Sequence, residues 1–111
     1  MNKVDHHKSI CKELNDTYRK KNAAYGDSFG ETYRKLGIIS AVTRITDKYN
    51  RLVTLATHAD VSANDESLTD TLLDMANYCI MTVMEMETAD AVGDGASVAE
   101  RVDRMTKGVQ A

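Results

Sequence analysis

The chain has 111 residues and a formal net charge of −3 at neutral pH. This length suits a single domain spanning residues 1–111, and 42% hydrophobic residues are enough to form a core. The acidic balance argues against binding a nucleic-acid polymer, which needs a strong basic excess. A single nucleotide stays compatible, because a metal ion and a few basic side chains can offset its charge.

The composition favours helices over strands. The chain has no proline, 5% aromatic residues and six methionines, which is unlike a β-sandwich or barrel. Residues 1–15 are too polar for a signal peptide, and no apolar run approaches the ~20 residues of a membrane span. We therefore expect an all-α, cytoplasmic protein with no membrane partner, in which Cys11 and Cys79 stay reduced.

The first predicted helix runs from about Lys3 to Lys20. Its apolar positions recur at spacings of three and four, which indicates a narrow seam against a neighbouring helix. These positions are Val4, His7, Cys11, Leu14 and Tyr18. His7 and Cys11 share one face, but a zinc site would need two further ligands, so the seam is the simpler interpretation.

A loop is predicted from Lys21 to Gly30, because this stretch contains two glycines and several polar residues. Ser28 and Glu31 have the spacing of a capping box, which predicts a helix start near Phe29. Two roles stay open for Phe29. It can stack on a base beside basic and amide side chains, or it can form a hydrophobic plug under the loop.

The second predicted helix has a short first piece and a long second piece, with Gly37 as the break. The long piece runs from Ile38 to about Thr57. Its apolar residues share one face: Ile38, Ala41, Val42, Ile45, Tyr49, Leu52, Val53 and Ala56. The other face carries Arg44, Asp47 and Arg51, which form exposed ion pairs or, alternatively, present Asp47 to the next helix.

The third predicted helix, from Asp65 to about Ala89, is apolar on nearly all sides. Its apolar positions are Leu68, Leu72, Leu73, Met75, Ala76, Cys79, Ile80, Val83 and Met84. Such a helix is expected to be buried, and other subunits should help to cover it, so we expect a homo-oligomer, a dimer or tetramer. A short C-terminal helix is predicted after a second capping box, formed by Ser97 and Glu100.

A narrow acidic stripe interrupts this apolar surface. Asp70, Asp74 and Asn77 fall within about 40° of one line along the helix, with Glu66 just before them. Buried carboxylates are costly unless a cation offsets them. Asp70 and Asp74 can share Mg²⁺, with Glu66 or with Asp47 from the facing helix. Alternatively, they pair with basic residues across the helix interface, namely Arg44, Lys48 or Arg51.

Three stretches carry a resemblance to a known family: KNAAYGDSF at residues 21–29, RITDKYNRL at 44–52 and ESLTDTLLDMANYCIM at 66–81. Together they resemble the nucleotide-modification-associated domain family of phages and bacteria, over roughly residues 15–87. That family is similar to the MazG-like nucleotide pyrophosphohydrolases. These all-α oligomers bind Mg²⁺ through Glu-x-x-Glu on one helix and Glu-x-x-Asp on the next. Asp47 and Asp70 match this pattern, whereas Arg44 and Ser67 stand where it has glutamates.

The resemblance implies a MazG-like bundle of three main helices plus a C-terminal helix, with a nucleotide ligand and Mg²⁺ as cofactor. It implies metal-binding and catalytic roles for Asp47, Asp70 and Asp74, with Glu66 as a further ligand. The residues expected to meet phosphates are Lys21, Lys48 and Arg51. The residues expected to contact base or sugar are Asn22, Tyr25, Phe29 and Asn77.

Three functions follow from these residues. The first is a nucleotide-binding protein that is also a Mg²⁺-dependent nucleoside triphosphate pyrophosphohydrolase, acting on a (modified) deoxynucleotide. The second is a phage protein that sequesters or senses a nucleotide without cleaving it. The third is a helical interaction module without a ligand, in which the acidic stripe is only ion-paired.

Overall fold

The computed structural model describes residues 2–58 and 65–92, with side chains for 2–58 and 68–89. These residues form four helices and no strand: α1 (Lys3–Tyr25), α2 (Ser28–Leu36), α3 (Ile38–Thr57) and α4 (Asp65–Val92). The all-α prediction is therefore confirmed for this part of the chain. The predicted C-terminal helix and the side chain of Glu66 lie outside the described residues.

Helix α1 begins at Lys3, where the Asn2 side chain accepts a hydrogen bond from the Asp5 backbone N–H at 2.8 Å. It continues to Tyr25, so the loop predicted from residue 21 is wrong. The residues after Lys20 tolerate helix well, and Gly26 ends it with a φ of +69° and a backbone hydrogen bond to the Asn22 carbonyl.

Helix α2 is capped by Asp27 and not by Ser28. The Asp27 carboxylate accepts a hydrogen bond from the Gly30 backbone N–H at 3.2 Å. The helix therefore starts one residue before the predicted position. At its other end Gly37 has a φ of +77° and separates α2 from α3, which confirms the predicted break.

Helices α3 and α4 form the central antiparallel pair. Two contacts show the antiparallel direction. Lys48 pairs with Asp74, whereas Arg44, one turn earlier on α3, lies over the ring of Tyr78, one turn later on α4. The buried side chains of this pair are Ala41, Leu55, Thr71, Thr82 and Met86. Helix α2 adds the buried Phe29, and α1 adds the buried Leu14.

The seam predicted on α1 is wrong in its first half. Val4 is 78% exposed, and His7 and Cys11 are exposed, with their side chains 3.7 Å apart. Burial on this helix begins at Leu14, where Asn77 of α4 donates a hydrogen bond to the Leu14 carbonyl. The first three turns have no described helix to pack against, so their apolar side chains stay exposed.

The described part of one chain does not cover α4 on all sides, and its further burial by other subunits stays a prediction. Helices α1, α2 and α3 contact it, yet the large apolar side chains Leu72, Ile80, Val83 and Met84 remain exposed. The described residues of one chain supply neighbours for only part of the circumference. No helix among these residues is long and apolar enough to cross a membrane.

Candidate functional site

A cavity of about 330 Å³ lies where α1, the start of α2 and one side of the α3–α4 pair meet. Its wall residues are Tyr18, Lys21, Asn22, Tyr25, Gly26, Asp27, Ser28, Phe29, Arg44, Asp74, Asn77, Tyr78 and Met81. The volume lies at the lower end of the ~300–1,000 Å³ typical of small-molecule sites. The wall combines aromatic rings with a few charged and amide groups, which is the usual composition of such sites.

Two aromatic rings form one wall of the cavity. Phe29 is only 6% exposed, and its ring stacks on that of Tyr78 with centroids 5.9 Å apart and planes inclined by 22°. The Arg44 guanidinium lies over both rings, 5.6 Å from the Phe29 centroid and 5.9 Å from that of Tyr78. A cation over aromatic faces is held by the ring quadrupole, so these rings position Arg44 at the cavity.

Arg44 is half-buried, and its N–H donors have no hydrogen-bond or ion-pair partner among the residues that the structure describes. A guanidinium has five N–H donors in a planar fork, which matches the oxygens of a phosphate or carboxylate. Since part of its hydration is already lost, an anion that enters the cavity would find donors available. Arg44 is therefore the strongest anion-binding group of the site.

Asp74 lies between two lysines at the same cavity. Its carboxylate oxygens are 3.5 Å from Lys21 Nζ and 3.1 Å from Lys48 Nζ. The second carboxylate of the wall, Asp27, is paired with Arg34 at 3.4 Å. With Arg44 included, the wall carries two cations and two carboxylates. Lys48 beside Asp74 adds a third cation, so the local balance is positive although the chain as a whole is acidic. The cavity thus favours an anionic ligand.

Asn77 connects two elements of the wall. Its Nδ2 donates to the Leu14 carbonyl oxygen at 3.2 Å, which holds the C-terminal half of α1 against α4. This bond uses one donor of the amide, and Asn77 also lines the cavity. Asn77 therefore has a positioning role that its place in the acidic stripe did not indicate.

The structure gathers most of the predicted ligand-binding residues at one place. The cavity wall includes Lys21, Asn22, Tyr25, Phe29, Asp74 and Asn77, and Lys48 contacts it through Asp74. Three other candidates, Asp47, Arg51 and Asp70, are exposed and do not line it. Of the two roles left open for Phe29, its burial against Tyr78 agrees with a hydrophobic plug, whereas stacking on a base stays a prediction.

The acidic residues do not converge. In the part of the chain that the structure covers, no three Asp, Glu, His or Cys side chains form a group that could hold a metal ion. The carboxylate nearest the cavity, Asp74, is already offset by two ammonium groups. A metal ion at Asp74 would therefore have to compete with Lys21 and Lys48 for the carboxylate.

Seven wall residues were not predicted to bind a ligand: Tyr18, Gly26, Asp27, Ser28, Arg44, Tyr78 and Met81. A signal for Arg44 was present. Arg44 and Lys48 are four residues apart on one predicted helix, and Asp74 and Tyr78 are four apart on the next. In an antiparallel pair these spacings place each cation opposite one partner, which is the observed arrangement.

Comparison with known families gives one match. The family model described as nucleotide modification associated domain 1 matches residues 21–86. This range contains α2, α3 and every residue of the cavity wall except Tyr18. No curated protein and no solved structure matches the chain.

Proposed function

The chain belongs to the nucleotide modification associated domain 1 family, and from this premise we propose that it binds a nucleotide in the cavity beside Arg44. The observation that carries the proposal is the half-buried Arg44 guanidinium, held over two aromatic rings with its donors directed to no described partner. A phosphate group supplies the oxygens that such a fork binds in pairs.

The phosphate end of the ligand would lie between Arg44 and Lys21. Lys48 stands behind Asp74 and adds positive potential at the same end. Arg51 would take part only if a phosphate chain extended beyond the cavity, because its side chain is exposed on α3. These charges explain how an acidic protein can hold an anion: the counter-charge is local and does not require a basic surface.

The base end would lie on the tyrosines of the wall. Tyr18 and Tyr25 each lie about one turn of α1 from Asn22, on either side of it, and offer flat faces, on which base stacking contributes about 1–3 kcal/mol. The Asn22 amide can donate to or accept from base edges or sugar hydroxyls, and the Asn77 amide oxygen can accept from them. The family description supports a nucleotide that is modified, and we propose a deoxynucleotide in the cytoplasm of a bacterium or phage-infected cell.

A catalytic form of the proposal adds hydrolysis. In this form the chain would be a MazG-like pyrophosphohydrolase of two or four chains, and bound Mg²⁺ would supply the charge stabilisation for cleavage of a nucleoside triphosphate. Asp74 at the cavity favours it, with Asp47, Asp70 and Glu66 as further ligands. It requires Asp47 and Asp70 to move towards the cavity and Asp74 to leave its lysines. Binding without cleavage, by a protein that sequesters or senses the nucleotide, requires no rearrangement and is the form that the geometry supports best.

Calorimetric titration with a panel of ribo- and deoxynucleoside mono- and triphosphates, with and without Mg²⁺, tests the proposal. We expect at least one deoxynucleotide to bind without Mg²⁺. Arg44→Gln should weaken this binding by about 10- to 100-fold, since hydrogen bonds between charged groups contribute ~1.5–3 kcal/mol. Arg19→Gln makes the same charge change at an exposed position of α1 outside the cavity wall and should leave the affinity unchanged.

The same titrations separate the three functions. Release of pyrophosphate only when Mg²⁺ is present would favour the hydrolase form. Binding without turnover would favour sequestration or sensing. If no member of the panel binds in either condition, the nucleotide proposal is wrong, and the helical interaction module becomes the better description.

A further inference from the structure

Helix α4 carries an apolar seam that no described element covers. Leu72, Cys79 and Val83 lie along one side of the helix, with Ile80 beside them and the half-buried Ala76 completing the spacing. The intervals between Leu72, Ala76, Cys79 and Val83 are four, three and four, which is the repeat of a helix packed along its length against another helix. The exposed fractions of Leu72, Ile80 and Val83 are 43–48%.

Helix α3 carries a second seam of the same kind. Ile39, Val42, Tyr49 and Val53 are 43–68% exposed, and Thr46 fills the position between Val42 and Tyr49. The intervals are three, four, three and four. The apolar face predicted for this helix is therefore wider than the surface that α4 covers, and its remaining half has no described neighbour.

The two seams lie on the same side of the α3–α4 pair. Counting about 100° per residue, each seam is rotated by roughly 90–140° from the buried residues of its helix, in the same sense along the chain. Because the helices are antiparallel, this rotation brings both seams to one side. Arg44 and Asp74 are rotated in the opposite sense, so the cavity lies on the other side.

We infer that this two-helix face, formed by Ile39, Val42, Tyr49, Val53, Leu72, Cys79, Ile80 and Val83, packs against the same face of a second copy. The dimer then contains a bundle of four helices, with α3 and α4 from each chain. Two-helix faces with this spacing pack in that way in bundles. None of the eight residues is charged, so the two copies bring no like charges together.

The size of the face fits a dimer. Residues 39–53 of α3 extend over about 20–25 Å, and two adjacent helices are about 20 Å wide. The projected area is thus about 400–500 Å². The accessible area of a corrugated helical face exceeds its projection, which brings it near the ~800 Å² that each partner contributes to a standard interface. An exposed apolar patch of this extent marks an interaction site.

The small core of one chain indicates why the occupant is a second copy. Among the described residues, the buried apolar side chains are Leu14, Phe29, Ala41, Leu55 and Met86. Helices whose described part buries so few apolar side chains gain little stability from them, which favours a partner that is present whenever the chain folds. Another copy of the chain meets that condition. An anionic membrane does not suit the face, because the protein itself is acidic.

Sedimentation velocity of the full chain tests the inference. At micromolar concentration we expect a particle of at least twice the chain mass of 12.3 kDa. Val42→Glu and Val83→Glu each place a charge in the face and should weaken self-association by at least about 100-fold. Val4→Glu is the matched control, because Val4 is the most exposed apolar residue of α1 and lies outside the face. It should not change the association.

Thiol labelling keeps the test independent of whether the charged variants fold. In a Cys11→Ser background, Cys79 is the remaining thiol and lies within the proposed interface. It should react slowly at high protein concentration and at least about tenfold faster on dilution. A monomer at all concentrations, or a Cys79 that reacts rapidly in the associated protein, would overturn the inference. A monomer with a protected Cys79 would also overturn it and would indicate that residues 93–111 cover the face.

Discussion

At the scale of single residues, Asp74 and Arg44 have different electrostatic roles at the cavity. Arg44 is positioned by aromatic rings and leaves its donors available. Asp74 instead holds Lys21 and Lys48 at the wall. This fixes the two lysines near the position of a phosphate, which lowers the ordering cost of binding, but the carboxylate also competes with the phosphate for them. Both effects can be measured by removing one charge.

We expect Asp74→Asn to strengthen nucleotide binding in the absence of Mg²⁺ by about three- to tenfold. The reason is that two partly exposed ion pairs, each contributing ~0.2–1 kcal/mol, no longer occupy the lysines. Calorimetric titration without Mg²⁺ measures this change. Glu87→Gln makes the same charge change at an exposed position of α4 outside the cavity wall and serves as the control.

The opposite outcome is equally informative about Asp74. If Asp74→Asn abolishes binding without Mg²⁺, the lysines depend on the carboxylate for their position. If it leaves Mg²⁺-free binding unchanged but abolishes a Mg²⁺-dependent gain, Asp74 acts as a metal ligand in the catalytic form. In both cases its role as a competing counter-ion is rejected.

At the scale of elements, two glycines set the ends of α2 and so the position of Phe29 in the wall. Gly26 and Gly37 both have positive φ and extended ψ, a conformation that is essentially restricted to glycine. A Cβ at Gly37 would have no heavy atom within 4 Å, so the cost of alanine there is conformational and not steric.

Gly37→Ala should therefore lower the free energy of unfolding by about 1–3 kcal/mol, the cost of forcing a residue with a Cβ into this backbone region. Urea unfolding followed by circular dichroism measures it. An unchanged urea midpoint would mean that Gly37 does not adopt this positive-φ conformation between α2 and α3 in solution.

Gly30 provides a different test, because it lies inside α2 and its constraint is steric. A Cβ there would lie 2.5 Å from the Asp27 carboxylate oxygens, which cap the helix. Gly30→Ala should destabilise the protein in the presence of Asp27. In an Asp27→Ala background the same substitution should become neutral or stabilising by up to about 1 kcal/mol, through helix propensity. Urea unfolding of wild type, the two single variants and the double variant measures this coupling. Equal effects of Gly30→Ala in both backgrounds would contradict the role of Asp27 as the helix cap.

The elements differ in how well the sequence predicts them, for identifiable physical reasons. The ends of α3 follow from Gly37 and from a long periodic stretch, so local signals suffice. The loop predicted from Lys21 is wrong because its two glycines have different structural roles. Gly26 ends a helix, whereas Gly30 lies in the first turn of the next one. Only the φ angle separates these roles, and composition does not report it.

The site shows a similar division. The sequence predicts Asp74, Lys21 and Phe29 as ligand-binding because carboxylates, cations and a single phenylalanine stand out along the chain. Arg44 and Tyr78 were not identified as ligand-binding, because their value depends on which residue faces them across the helix pair. Cross-helix register is a tertiary property, and a single sequence indicates it only through matched spacings on both helices.

At the scale of the whole molecule, the α3–α4 pair separates two surfaces. One side forms the cavity with α1 and α2, and the other carries the uncovered apolar face. Because the surfaces are opposed, two copies joined through the apolar faces would leave both cavities open to the outside. Ligand binding and self-association should then contribute to stability independently of each other.

If folding is coupled to dimer formation, the melting temperature must depend on protein concentration, because unfolding releases two chains. A hundredfold rise in concentration favours the dimer by about 2.7 kcal/mol, which corresponds to an increase of about 5–10 °C for an assembly of this size. Scanning calorimetry across that range measures the shift. In Val83→Glu the dependence should vanish, while a saturating nucleotide should still raise the melting temperature of the variant by the amount seen in wild type. A nucleotide shift that disappears together with the concentration dependence would show that the partner chain completes the cavity.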